Sequence, residues 1–186
     1  YLAALPPRWV PPLTLYAPPP HNKTDILAAM ATGAVNLFHF ATHGSFDATA
    51  PTQAALLIGT SRLTADDVAG PDLRDGLTRS APLVFLNACH SGREAPALSG
   101  IGGWVDKLLR FGCSGFVGTN WEVQDELAAQ FAIHFYDLLR AGQTFGAACR
   151  EARQQIRQAN PGNSTWLAYV LYAHPNGTLR AGPRPI

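Results

Sequence analysis

The sequence predicts a wound α/β fold in which strands and helices alternate along one domain. Two observations carry this. The runs 35–44 (VNLFHFATHG) and 82–89 (PLVFLNAC) are short and apolar, and in the first both alternating faces are mostly apolar, as in a strand covered on both sides. Stretches of helical periodicity at 104–111, 123–139 and 145–156 are interleaved with further strand-like runs. A length of 186 residues with 47% apolar content is enough for one large domain with a substantial core.

The elements follow in order. Residues 1–12 are Pro-rich and are expected to lie across the surface or mark the edge of the domain. Leu13–Ala17 is a weak strand candidate, stopped by three prolines. Thr24 or Asp25 is expected to cap a helix through Met30, and Gly33 to end it. The run 35–44 is a strand; Leu37, His39, Ala41 and His43 share one face, and Phe38, Phe40 and Thr42 the other. Residues 54–58 (AALLI) form another strand, read as an edge one. Thr64 caps a short helix whose first turn holds Asp66 and Asp67. The strand ending at Cys89 is followed by a loop over 92–103. Trp104, Leu108 and Phe111 mark a helix stopped by Gly112, and 115–121 forms a strand. Leu127, Phe131, Phe135 and Leu138 line one face of the clearest helix, 123–139, and Thr144 is placed to cap the next, 145–156. Residues 166–172 form a last strand, and a Pro/Gly tail closes the chain over 174–186.

Composition removes several function classes. Fourteen basic and 13 acidic residues leave a net charge of +1, with no basic run, so there is no electrostatic case for nucleic acid or an anionic membrane. No stretch approaches a membrane span, and YLAALPP lacks the basic start and apolar centre of a signal peptide. The missing initiator Met leads us to expect a fragment of a longer protein. Cys89, Cys113 and Cys149 are odd in number and widely spaced, which fits neither a disulfide framework nor a zinc site and favours a reducing, cytoplasmic setting. His39 and His43 look like a metal pair only on a helix; on a strand they are separated by roughly 13 Å, too far to share an ion. No metal or cofactor is expected. A phosphate-binding glycine loop is also missing.

The chemistry concentrates at two strand ends. In a parallel sheet, strands end along one edge, where open α/β sheets hold ligands. His43 and Cys89 each close an apolar run, and a base and a thiol at one edge are what a cysteine nucleophile requires. An imidazolium beside the thiol raises its thiolate fraction and can protonate a departing amine. Gly44, lacking a side chain, and Cys89 itself can offer backbone amides to a tetrahedral oxyanion. These readings require adjacent strands, which the sequence permits without specifying. Taken alone, Cys89 could as well be a small core residue. Cys113 and Cys149 read as core residues, His39 as a core histidine, His90 as exposed or structural, and His134 as packing or surface.

At these residues the chain resembles a known family. HFATHG (39–44) and LNACHSG (86–92) look like the two catalytic blocks of CHAT domains, which are caspase-like cysteine peptidases of clan CD. Residues 63–68 (LTADDV), 112–125 ending NWEVQD, and 135–153 followed by WLAYVLY (166–172) resemble further blocks in the family's order, so the likeness spans about 13–175. It implies a caspase-like three-layer αβα sandwich around a central, mostly parallel sheet. It also implies His43 as general acid/base, Cys89 as nucleophile, and the Gly44 and Cys89 amides as oxyanion hole. The family's first strand and helix should precede Leu13 and are not found there. Its members are commonly fused to regulatory or sensor modules, and none is visible here.

The resemblance thus implies a regulated endopeptidase cutting a protein partner, in bacterial stress or anti-phage (antiviral) defence. A non-catalytic CHAT-like scaffold and a non-peptidase thiol hydrolase are the alternatives. Trp121, Glu122 and Asp125 follow a strand ending at the same edge and are candidate walls of the pocket for the residue before the cut. Either acid would favour a basic residue there. Trp121 could equally be core packing, and Asp125 a helix N-cap. Asp47 reads as a turn residue and Arg93 as a solvated loop charge.

Overall fold

The computed structural model describes residues 22–45, 54–90 and 98–179, and at 45, 88–90 and 98–102 the backbone alone. The expected strand at Leu13–Ala17, the Pro-rich start, Asp47, Arg93 and the side chains of Cys89 and His90 lie outside the described residues. The element order is α1 (Lys23–Thr32), β1 (Leu37–Ser45), β2 (Ala55–Ile58), β3 (Ser61–Thr64), α2 (Pro71–Ser80), β4 (Leu83–His90), α3 (Leu98–Arg110), β5 (Gly115–Thr119), α4 (Asp125–Arg140), α5 (Phe145–Ala159), α6 (Thr165–Ala168) and β6 (Tyr169–Ala173).

Among the described residues six strands form one sheet in the order β3-β2-β1-β4-β5-β6. The three central strands β1, β4 and β5 are parallel, while β2, β3 and β6 join by antiparallel pairing. Strand parity sorts the core into two layers. Phe38, Phe40, Val84, Leu86 and Phe116 pack with Met30, Leu77, Trp104 and Leu108 from α1, α2 and α3. Leu83, Phe85, Val117 and Tyr169 pack with Phe131, Phe135 and Leu139 of α4 and Ala148, Ala152 and Ile156 of α5. The result is the expected αβα sandwich, and both faces of β4 are buried because helices cover both.

Local chemistry explains most ends. Asn22, rather than Thr24 or Asp25, caps α1: its side chain accepts from the Asp25 amide at 3.1 Å, and Asp25 accepts from the Asn22 amide at 3.2 Å. Gly33, at φ 64°, ends this helix in the left-handed region. Thr64 caps the turn Ala65–Asp67 through the same kind of box. Thr144 caps α5, accepting from the Ala147 amide at 3.2 Å. At α4 the N-cap is Gln124, and Asp125 is the first helical residue, where its charge favours the positive end of the helix.

Other expectations are corrected. The 54–58 strand is internal, because β3 follows after the two-residue turn Gly59-Thr60 and becomes the edge. α2 is polar along most of its length, and only Leu73, Gly76 and Leu77 are buried. Gly70 and Pro71 open it, with Pro at a position where no amide donor is needed. At Gly76 a Cβ would stand 2.4 Å from the Met30 carbonyl oxygen and 2.5 Å from that of Ala31, so glycine lets α1 and α2 touch backbone to backbone. α3 begins at Leu98, which places the end of the expected 92–103 loop inside a helix. Residues 165–168 form a helical turn and not strand, held where Arg153 Nε donates to the Trp166 carbonyl at 2.9 Å. The start of the Pro/Gly tail is folded: Thr178 bridges Thr144, and Phe145 N donates to the Gly177 carbonyl at 2.8 Å.

Candidate active site

The parallel pairing of β1 with β4 runs in register from Leu37–Leu83 to Gly44–His90, and it sets His43 directly opposite Cys89. Opposed positions on neighbouring strands stand about 4.8 Å apart. The alternation that turns Leu37 and His39 toward α4 and α5 assigns position 43 to the same set. The His43 side chain is exposed. Gly44 is buried between two strands, opposite Leu56 of β2 and His90 of β4.

Beneath this edge the sheet face is polar where an ordinary core would be apolar. Asn87, two positions before Cys89, accepts a hydrogen bond from the Tyr169 hydroxyl at 2.9 Å and donates to the Ala128 carbonyl at 3.4 Å. The Tyr169 ring is stacked on Phe131 with centroids 3.5 Å apart. Asn87 therefore ties the end of β4 to α4 and β6. The sequence marks it only as a polar residue within a buried run, and its role was not legible there.

One level deeper on β1, His39 stacks on Phe85 with centroids 4.8 Å apart, and its Nδ1 is 2.8 Å from the Tyr136 hydroxyl. Burial holds its imidazole down at a pKa of about 4, so it is neutral at physiological pH. Burial also pushes the Tyr136 phenol well above its ordinary value, keeping it protonated and able to donate to Nδ1. His39 is thus a core histidine, as expected.

The cysteines separate in the same way. Cys113 and Cys149 are buried free thiols. Burial raises the Cys113 thiol to about 12 and raises that of Cys149 as well, so neither ionises readily.

The remaining candidates lie on the segment leaving β5. That strand pairs with β4 as far as Gly118–Leu86, so 120–124 departs at the edge where β4 continues to Cys89 and His90. Trp121 is 39% exposed rather than part of the core, and Glu122 and Asp125 are also exposed. Val123 turns inward, packing with Ala128 and Ala168. Among the described residues no helix is long and apolar enough to cross a membrane.

A probable protease of Vitiosangium sp. (strain GDMCC 1.1324) is 33% identical over 145 residues, covering 73% of this chain and 18% of that protein. The chain thus spans less than a fifth of that relative's length. The family model of the CHAT domain matches residues 6–176, which include the paired ends of β1 and β4, and by that match the chain belongs to the CHAT domain family.

Proposed function

We propose that this chain is the peptidase domain of a regulated cysteine endopeptidase that makes a limited cut in a protein partner. The observation carrying the reading is the in-register pairing of His43 with Cys89 at the end of a parallel ladder. In this reaction the Cys89 sulfur attacks the scissile carbonyl carbon, and the C–N bond breaks as His43 gives a proton to the departing amine. Water, deprotonated by His43, then releases the acyl group. The Gly44 and Cys89 amides stabilise the oxyanion. The raised thiol pKa values of Cys113 and Cys149 support Cys89 as the nucleophile by leaving the other cysteines unreactive.

Trp121, Glu122 and Asp125 are proposed as walls of the pocket for the residue before the cut, with the acids favouring Lys or Arg. The name of the Vitiosangium relative supports proteolysis, and its much greater length supports attachment of this domain to a regulatory or sensor module. A bacterial, cytoplasmic role in stress or anti-phage defence rests on the family resemblance. The chemistry proposed needs neither metal nor cofactor, and neither nucleic acid nor membrane is a proposed partner.

The test is a cleavage screen on a peptide library varied at the residue before the cut, with the unaltered chain, Cys89→Ala and His43→Ala. We expect cleavage by the unaltered chain and a loss of at least about a thousandfold in either variant, the scale of removing a nucleophile or its base. Cleavage that persists in Cys89→Ala excludes the dyad. Basic selectivity left intact by Glu122→Ala and Asp125→Ala together excludes the pocket assignment.

A further inference from the structure

A second feature lies on the opposite margin of the sheet from β3. Between α5 and β6 runs an open groove of about 1050 Å³, lined on the helix side by Arg150, Arg153 and Arg157 and on the strand side by Val170, Leu171 and Tyr172. The arginines recur at helical spacing, while Ala148, Cys149, Ala152 and Ile156 turn into the core. Among the described residues no Asp or Glu lines the groove. Arg153 is held by the Trp166 carbonyl, and Arg157 lies over the Trp166 ring at 4.9 Å. Arg150 and Arg157 are exposed, and among the described residues neither has a carboxylate partner. Three cations are therefore gathered in a chain whose net charge is only +1.

The strand side is equally unfinished. β6 is the last strand in the sheet order, paired to β5 on one side, and among the described residues no strand covers the other. Tyr172 on this strand is 41% exposed. An uncovered edge presents backbone donors and acceptors to any extended chain laid beside it. We propose that the groove binds an extended acidic segment of a partner protein, which adds as a strand to β6 and directs alternate carboxylates toward the arginines of α5.

Geometry and charge favour this occupant. At 1.5 Å per residue, Arg150, Arg153 and Arg157 spread over about 10 Å of helix. Same-face side chains of a strand recur about every 6.7 Å, so two acids on alternate positions fall within that span. Arginine forks suit carboxylates through paired N–H donors. The flanking segments of this chain do not match: residues 1–21 and 180–186 contain no acid.

The probe is a fluorescein-labelled octapeptide alternating Glu and Thr, titrated against the full chain carrying Cys89→Ala and read by fluorescence anisotropy. Binding is thereby measured without cleavage and stands apart from the peptidase reading. We expect saturable binding, weakened about tenfold or more by Arg150→Glu with Arg157→Glu, and less by the paired Gln substitutions. Far-UV circular dichroism checks that these exposed substitutions leave the fold unchanged. A peptide N-methylated on alternate residues should bind much more weakly, because it cannot complete the ladder, and a Lys-for-Glu peptide should not bind. No binding of the parent peptide, unchanged binding after charge reversal, or equal binding of the N-methylated peptide overturns the proposal. Tighter, competing binding by a single-stranded oligonucleotide of equal charge also overturns it and assigns the groove to nucleic acid.

Discussion

Neutral His39 beneath the strand ends should make the stability of the fold depend on pH in a calculable way. Its pKa is about 4 in the folded chain, against an ordinary value of 6.5. The group is depressed on folding, so the unfolded chain binds the extra proton first. Full stability is present above pH 6.5 and is lost as pH falls toward 4. A difference of this size is worth about 3 kcal/mol in total, and about 2 kcal/mol between pH 7.5 and pH 5. The loss has a structural cause: among the described residues, an imidazolium stacked on Phe85 beside a protonated Tyr136 has no carboxylate to offset its desolvation. The assay is urea unfolding at pH 7.5, 6 and 5 for the unaltered chain and for His39→Gln. Titration of every other group is common to both, so the difference between the two slopes isolates His39. We expect the unaltered chain to lose about 2 kcal/mol more than the variant between pH 7.5 and 5. Slopes agreeing within about 0.5 kcal/mol would refute the reasoning, whatever the absolute stability of the variant.

Three further outcomes follow from the packing. Iodoacetamide should label the folded Cys89→Ala chain at least about tenfold more slowly per thiol than the unaltered chain, and the rates should converge in denaturant, as mass spectrometry can follow. Gly76→Ala should lower the unfolding free energy by about 2–4 kcal/mol in urea titrations, because the Cβ meets backbone carbonyls of α1 that cannot rotate aside. Tyr169→Phe should cost about 1 kcal/mol by loss of the hydroxyl that holds Asn87. If Asn87 positions the end of β4, peptide cleavage should then lose kcat with little change in KM, whereas an unchanged kcat would leave Asn87 a purely structural residue.

Legibility in the sequence tracked how much of each element's stability is local. The apolar runs of β1 and β4, the stripe of α4, and the Thr64 and Thr144 caps are visible because their defining interactions lie within a few residues. α2 was missed because it carries few apolar residues and its placement depends on Gly76 meeting a helix more than 40 residues away in sequence. β3 shows little pattern because only Leu63 of its four residues is buried. Residues 165–168 look strand-like in isolation, and tertiary contact with Arg153 accompanies their helical turn. Within the candidate site, His43 and Cys89 stood out as a base and a thiol at strand ends. Asn87 and Tyr169 did not, since their partnership joins residues 82 apart.

The sequence by itself determined the fold class, the family and the two strand-end residues, His43 and Cys89, on which the proposed chemistry rests. Each is written in local residue pattern: alternation, periodicity and short blocks in order. The tertiary structure alone decided that β1 and β4 are neighbours and that their register sets His43 against Cys89 rather than against a residue on the other face. Strand order and register are set by which faces can be buried together, and a slip of one residue would turn every side chain over. That choice belongs to the assembled sheet, because it is the helices on both sides that make one register bury the core and the others expose it.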